Sequence, residues 1–175
     1  MEARSIIKQV ILAIDECHQK GVIHRDLKLE NVLFETKAKT RIKVVDFGIS
    51  GMCKGNVAEK NDAGTLRYMA PETLKDFTSN ANPAIDIWSI GIMLYCMVYD
   101  KFPFNGDSAV QIKERIISKD PSFPKSVGVT DEFIDFVKGC LRKEPAERFD
   151  LYTMKCHKWL LLSDSAIQLK VELAQ

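Results

Sequence analysis

Apolar and polar residues alternate along the first twenty positions with the period of a helix. Between Glu2 and Lys20 apolar side chains recur at intervals of three and four, the spacing of a helix that buries one stripe. The stripe consists of Ile7, Val10, Ile11, Ile14 and Cys17. Gly21 follows directly, and a glycine there is typical of a left-handed C-terminal cap. The pattern therefore predicts an amphipathic helix that ends before Gly21.

Two short strand-like runs after this helix predict a β-hairpin. Residues 32–34 and 41–45 are separated by the polar segment 35–40. The next segment, 49–64, is rich in Gly, Asn, Lys and Glu and lacks periodicity, so we expect a long loop there. Loops of this length are usually functional or disordered.

The second half of the chain returns to helical periodicity. The most apolar helix is predicted at 87–99, introduced by Pro83 and Asp86. Further helices are predicted at 109–117, 131–141 and about 151–161. Apolar residues of the tail 163–175 alternate with a period of two, and this tail stays unassigned. The predicted fold is mainly α with short β-hairpins, in one domain over residues 1–162.

Composition and charge exclude several classes of protein. Hydrophobic residues make up 46% and charged residues 28%, which is ordinary for a globular domain. The 25 basic and 24 acidic residues give a net charge of +1, so we expect neither a nucleic-acid partner nor a membrane surface. The apolar run 87–99 is too short to span a bilayer, and no signal peptide is visible.

The five cysteines favour a reducing compartment. They are odd in number, far apart and include no C-x-x-C pair, which argues against a disulfide framework and against zinc. We therefore expect the protein in the cytoplasm or the nucleus.

The candidate chemistry centres on residues 24–31, His-Arg-Asp-Leu-Lys-Leu-Glu-Asn. Asp46-Phe47-Gly48 and then Ala70-Pro71-Glu72 follow in order. A catalytic loop of this form, a D-F-G and an A-P-E together are the signature set of protein kinases. Five fixed residues at these spacings arise by chance at roughly one start in a few million, so a surface loop of unrelated charges is a poor explanation.

These residues supply what phosphoryl transfer needs: a positioned acceptor, metal ions and cations near the transferring group. Asp26 is the candidate catalytic base, ionised at neutral pH. Lys28 can reach the transferring phosphate. Asn31 and Asp46 offer the oxygen ligands that Mg²⁺ prefers, and the hairpin is expected to bring them together.

The chain resembles the large, C-terminal lobe of a eukaryotic serine/threonine protein kinase over residues 2–161. Lys28 is typical of the serine/threonine branch, and residues 64–72 resemble its acceptor-site segment, in which Thr65 bonds Asp26 and Lys28. Residues 31–47 and 64–72 are similar to those of calcium/calmodulin-dependent and calcium-dependent kinases. The resemblance implies ATP and Mg²⁺ as cofactors and a protein as substrate.

The resemblance also implies roles for structural residues. Glu72 and Arg148 resemble a buried ion pair that fixes the acceptor segment to the lobe. Asp86 resembles the helix carboxylate that hydrogen-bonds the backbone of the His24 loop, with Trp88 packed beside it.

Other residues resemble parts of the nucleotide site. His24 and Phe47 resemble two members of a hydrophobic spine, and Gly48 completes the D-F-G. The floor beneath adenine is implied for Val32, Leu33 and Phe34.

Arg25 resembles the arginine that orders an activation loop by binding a phosphate. Between residues 49 and 64, however, Ser50 is the only hydroxyl, and it lies too close to Gly48 to be the usual site. Glu59 and Asp62 offer fixed negative charge instead. The complete enzyme is therefore predicted to be independent of phosphorylation in this segment.

The small lobe of a kinase is absent from the sequence. No G-x-G-x-x-G and no strand lysine precede His24, and Val110-Gln111-Ile112-Lys113, which imitates the lysine motif, lies in a helical pattern. We expect the chain to be a fragment of an active kinase, with negligible activity without the missing N-terminal lobe.

One position departs from the family pattern without touching a catalytic group, and two others bear weakly on a preference for basic substrates. Leu29 replaces a proline that is usual in this loop. Glu30 is similar to a glutamate that meets basic substrate residues, whereas Cys96 stands where some arginine-directed kinases carry a second acid. Two other functions stay open: a catalytically inactive kinase-like binding module, and a small-molecule phosphotransferase of related fold.

Overall fold

The computed structural model describes residues 3–47, 63–76 and 82–162. Helix α1 spans Ala3–Gln19 and buries the predicted stripe except Cys17, which is only partly buried. Gly21 follows with φ of 73°, and the N–H of Val22 donates to the carbonyl of Cys17 at 2.9 Å. The predicted left-handed cap is therefore confirmed.

The predicted hairpin is present, with a slightly shorter second strand. Strand β1, Val32–Phe34, pairs antiparallel with β2, Ile42–Val44, and places Val32 opposite Val44. Gln9 of α1 anchors the hairpin: its Oε1 accepts from the N–H of Ile42 at 3.1 Å, and its Nε2 donates to the carbonyl of Thr40 at 3.2 Å. This anchor holds the start of β2 against the first helix.

The other helices form the body of the fold around one central helix. In chain order they are α2 (Ala63–Leu66), α3 (Pro71–Lys75), α4 (Ala84–Tyr99), α5 (Ala109–Ser118), α6 (Asp131–Cys140), α7 (Leu151–Cys156) and α8 (Lys158–Leu161). Helix α4 is buried over most of its length, as expected for a helix that is apolar on all sides, and it packs between α1 and α6. None of the helices in the described segments is both long and apolar enough to cross a membrane.

The close approach of α4 and α6 depends on Gly91. A Cβ atom at Gly91 would lie 2.7 Å from the Cβ of Cys140 and 2.8 Å from Cδ2 of Leu141. Any side chain there would push the two helices apart.

Several boundaries differ from the sequence predictions. The helix predicted at about 151–161 is broken at His157, which is extended (φ −67°, ψ 138°) and whose Nδ1 accepts from the N–H of Trp159 at 3.2 Å. Helix α4 begins at Ala84, earlier than predicted, because Asn82 Oδ1 accepts from the N–H of Ala84 at 2.9 Å.

The predicted loop at 49–64 is wrong at its end, since Ala63 and Gly64 belong to α2. Helix α3 was not predicted, because its five residues are too few to show a period. Residues 48–62 and the tail 163–175 lie outside the described residues, so the domain boundary at 162 stays a prediction.

Candidate active site

The buried carboxylate of Asp86 holds the backbone of the catalytic loop. Its Oδ2 accepts from the N–H of His24 and its Oδ1 from the N–H of Arg25, both at 2.9 Å. Arg25 has φ of 69°, in the left-handed region that costs a non-glycine residue on the order of 1 kcal/mol. The contact that the resemblance implied for Asp86 is present, and it stabilises this bend.

His18 is a third partner of Asp86 that the sequence analysis missed. Its Nε2 lies 2.8 Å from Asp86 Oδ2, and it carries the hydrogen because an ionised carboxylate only accepts. The signal was available: His18 continues the buried stripe, four positions after Ile14, and a polar residue there needs a buried partner. The last turn of α1 therefore helps to position the loop.

Lys28 joins the candidate base to the acceptor segment. Its Nζ lies 3.0 Å from Asp26 Oδ2 and 3.3 Å from Thr65 Oγ1, although Thr65 is 37 residues away in sequence. Both charged side chains are largely shielded, with exposed fractions of 20% for Lys28 and 12% for Asp26. The expected link between Thr65 and the loop thus runs through the Lys28 ammonium.

Asn31 and Asp46 are brought together by the hairpin. The amide Nδ2 of Asn31 donates to the backbone carbonyl of Asp26 at 2.8 Å, which leaves the amide oxygen as its ligand atom. The backbone carbonyl of Asn31 accepts from the N–H of Val45 at 2.9 Å, so Asp46 follows directly, with φ of 66°. The two residues sit at the entrance of β1 and just past the exit of β2.

This pair of ligands fits a magnesium ion better than a fixed metal cage. Mg²⁺ keeps several waters and uses one or two carboxylates together with substrate phosphates. Within residues 3–47, 63–76 and 82–162 there is no group of three or more His, Cys, Asp or Glu side chains that could hold a metal ion. Asn31 and Asp46 could therefore hold Mg²⁺ only together with water and phosphate oxygens.

His24 is fully buried and links the loop to Phe47. Its Nδ1 accepts from the N–H of Asp26 at 3.3 Å, and its Nε2 lies 3.1 Å from the carbonyl of Val45. A neutral ring with its hydrogen on Nε2 satisfies both contacts. The ring centroid lies 4.5 Å from that of Phe47. Gly48 and Asp62, the remaining predicted site residues of this region, lie outside the described residues.

The apolar side chains of β1 that were expected beneath adenine are partly uncovered. Leu33 and Phe34 have exposed fractions of 49% and 42%, and Val32 is half-buried. Successive side chains of a strand point to opposite faces, so Leu33 and Phe34 leave one exposed apolar side chain on each face of the hairpin.

Glu72 and Arg148 form the ion pair that the resemblance implied. The guanidinium donates to both carboxylate oxygens at 2.6 Å, and the Arg148 side chain has no exposed surface. The indole of Trp88 lies against this guanidinium, with its ring centroid 5.1 Å from Arg148 Cζ, and it stacks on Phe104. The pair attaches the start of α3, and with it the acceptor segment, to the helical body.

Comparison with known proteins agrees with this geometry. Residues 1–160 match the family model of the protein kinase domain. The chain belongs to the protein kinase family.

The curated relatives of this kinase chain include serine/threonine-protein kinases. It is 31% identical over 170 residues to the serine/threonine-protein kinase ssp1 of Schizosaccharomyces pombe, covering 91% of the chain and 26% of that protein. It is 33% identical over 164 residues to CDPK-related kinase 1 of Arabidopsis thaliana (91% and 28%) and 33% over 159 residues to sperm motility kinase 3A of Mus musculus (91% and 31%). The chain thus spans about a quarter to a third of the relatives' length. By family it is a protein serine/threonine kinase.

A groove beside the kinase loop carries negative charge. It encloses about 520 Å³ and is lined in part by Glu30, Tyr68, Cys96 and Asp100. Burial, with a smaller contribution from Glu30, raises the pKa of the Cys96 thiol to about 12, so Cys96 is neutral at physiological pH. The negative charge of the groove therefore comes from Glu30 and Asp100, which outnumber the one cation of its lining, Lys101.

Proposed function

We propose that this chain is the large-lobe part, residues 1–162, of a protein kinase that transfers the γ-phosphate of ATP to serine or threonine hydroxyls of proteins. The observation that carries the proposal is the Lys28 ammonium, which lies within 3.3 Å of both the Asp26 carboxylate and the Thr65 hydroxyl. A base, a cation and the acceptor segment are the parts that phosphoryl transfer has to position.

Each residue has a distinct task in this proposal. Asp26 orients the acceptor hydroxyl and takes its proton, and Asn31 fixes the loop carbonyl on which that orientation depends. Lys28 stabilises the negative charge that is shared among the transferring phosphate oxygens. Asn31 and Asp46 are the ligands for Mg²⁺, which when bound neutralises the phosphates. Groups of this kind act mainly through position, so small displacements of the loop reduce the rate.

The calcium/calmodulin-dependent or calcium-dependent group is the proposed subgroup. The sequence of residues 31–47 and 64–72 supports it, and so do the matches to plant CDPK-related kinases. A cytoplasmic location is proposed, supported by the free thiols of Cys17, Cys96, Cys140 and Cys156.

The isolated chain is proposed to have negligible activity. A kinase needs a glycine-rich loop and a strand lysine to hold the ATP phosphates. The exposed Leu33, which is expected beneath adenine, supports a second unit over that face of the hairpin, either another segment of a longer protein or a separate chain.

The test compares the purified chain with the same chain joined to the N-terminal kinase segment of a CDPK-related relative. Transfer of labelled phosphate from Mg-ATP to serine, threonine and tyrosine peptides is measured. We expect the joined protein to modify serine and threonine only and the chain alone to give background counts. Activity of the chain alone that disappears in Asp26→Asn would overturn the requirement for a second unit. A joined, folded and ATP-binding protein that transfers no phosphate would overturn the proposed function.

A further inference from the structure

A second concavity next to the acidic groove is lined by cations. It encloses about 240 Å³ between the loop after α4 and the C-terminal end of α5. Lys101, Arg115 and Lys119 line it, with Asp120 as the one acidic side chain. The buried ring of Phe104 forms part of its lining. We call this concavity the basic cavity.

The cations of the basic cavity are not neutralised by the fold. Within the described part of the chain, the exposed Lys101, Arg115 and Lys119 form no ion pair, whereas the half-buried Lys155 pairs with Asp15 at 2.6 Å. Arg115 donates one hydrogen bond, to the backbone carbonyl of Asn105, which holds its guanidinium at the cavity. Guanidinium groups bind carboxylates and phosphates through paired N–H donors.

The basic cavity is continuous with the acidic groove. Lys101 and Phe102 line both concavities, so they form one surface that runs away from Glu30. Arg67 fixes the loop after α4 to the acceptor segment. Its Nη1 donates to Asn105 Oδ1 at 2.5 Å, and its guanidinium lies 5.1 Å from the Phe102 ring centroid. An extended peptide leaving the catalytic loop along this surface meets negative charge first and positive charge second.

We propose that the basic cavity binds an acidic segment of the protein substrate, carrying phosphoserine or clustered carboxylates, while a basic residue nearer the acceptor lies against Glu30 and Asp100. The substrate assignment rests on the proposed function, but the anion preference of the cavity does not. The substrate class is thus a segment of alternating charge, basic close to the acceptor and acidic farther away. Phosphoserine carries about −1.5 to −2 charge and should bind more tightly than a single carboxylate.

The first experiment measures binding to the purified full chain without ATP. Three fluorescein-labelled peptides share an acceptor serine and an adjacent arginine, and differ in a distal run of glutamine, glutamate or phosphoserine. Fluorescence anisotropy should rank the affinities phosphoserine, glutamate, glutamine, with a step of about fivefold between the charged and neutral peptides at low salt.

The matched variants neutralise two lysines inside or outside the cavity. Lys101→Gln with Lys119→Gln should remove the preference for the anionic peptides. Lys113→Gln with Lys125→Gln changes the net charge equally at exposed positions outside the lining and should keep it. Urea denaturation of both pairs checks that each is folded. The cavity would be refuted as a binding site if both double variants lost the preference for anionic peptides equally, or if the parent chain showed no such preference.

The second experiment separates docking from catalysis. In the joined protein, the cavity pair should raise the KM for the phosphoserine peptide about fivefold and leave kcat unchanged, because the cavity is remote from the reacting atoms. Peptide binding as expected with no phosphate transfer would defeat the proposed function and leave the anion site standing. Phosphate transfer with the same KM in the parent and in the cavity double variant would refute the docking proposal alone.

Discussion

Arg148 is a buried cation that depends on one carboxylate for charge balance. It donates to both oxygens of Glu72 and also to the carbonyls of Ala84, Arg142 and Lys143. Glu72→Gln should lower the free energy of unfolding by about 3 kcal/mol, since it leaves the buried charge uncompensated. Urea denaturation measures this. Glu16→Gln, which breaks the exposed pair with Lys20, is the control and should leave the midpoint unchanged. Equal effects of the two changes would contradict the buried-pair account.

Lys143 makes the stability of the folded chain depend on pH, and the surroundings of its ammonium set the sign. Burial, opposed by Asp120 and assisted by Arg148, lowers its pKa to about 8, and its ammonium lies 4.2 Å from the Phe104 ring centroid. The unfolded chain holds this proton up to a pH near 10.4. Between these values the unfolded state binds more protons, so stability rises with pH.

Comparison with Lys143→Met isolates this contribution. From pH 7.5 to 9.5 the parent chain should gain stability relative to the variant, by on the order of 1 kcal/mol after allowing for partial exposure. Urea midpoints at both pH values measure the difference. If the urea midpoints of parent and variant differed by the same amount at both pH values, the pKa of Lys143 would not be lowered by folding.

Helix α4 acts on the active site through Asp86 near its first turn. Asp86 accepts hydrogen bonds from the His24 and Arg25 amides on separate carboxylate oxygens and also contacts His18. Asp86→Asn keeps only one acceptor oxygen, so it cannot make all three contacts. We expect a loss of about 2 kcal/mol and faster hydrogen exchange at those two amides. Exchange measured by NMR tests this, with the exposed Asp107→Asn as control. Unchanged exchange at both amides would show that the loop is held by other contacts.

The contact between α4 and α6 sets the tolerance of Gly91. Alanine would favour the helix by up to about 1 kcal/mol but would clash with Cys140 and Leu141. We expect a net loss of about 1 to 2 kcal/mol in urea denaturation, whereas Ser5→Ala on the exposed face of α1 should be neutral or slightly stabilising. A more stable Gly91→Ala protein would show that the helices adjust at little cost.

Elements with a long or regular pattern were predictable, and those set by single contacts were not. Burial on one side leaves a helical period in α1, and burial on all sides leaves a long apolar run in α4, so both helices were predictable. The break at His157 depends on one side chain that caps α8, and helix α3 is shorter than the pattern can register. The roles of Asp26 and Lys28 came from a motif. The contact of His18 with Asp86 joins residues 68 apart, which periodicity alone does not reveal.

At the scale of the whole molecule, charge and exposure divide the surface by task. The hairpin exposes Leu33 where the nucleotide-binding unit is proposed, whereas the acidic groove and the basic cavity meet at Lys101 and Phe102 in the loop after α4. Glu72 and Arg148 connect the acceptor segment to the helical body behind both. A kinase lobe that binds both a nucleotide and a protein substrate needs separate surfaces for the two.

The composition of residues 49–64 predicts how a complete enzyme responds to removal of phosphate from this segment. Because Ser50 is the only hydroxyl there, phosphatase treatment of the complete enzyme should leave its activity unchanged. Loss of activity after that treatment would show that a phosphate binds Arg25 or another site.

The central claim is that Asp26 is the catalytic base of a serine/threonine phosphotransfer centre, and kcat of the joined protein tests it most directly. Asp26→Asn should lower kcat by about 100-fold or more in protein that is still folded and binds ATP, because the amide cannot take the proton of the acceptor. Asp107→Asn should have no effect. A kcat within about twofold of the parent in folded Asp26→Asn protein would contradict the account.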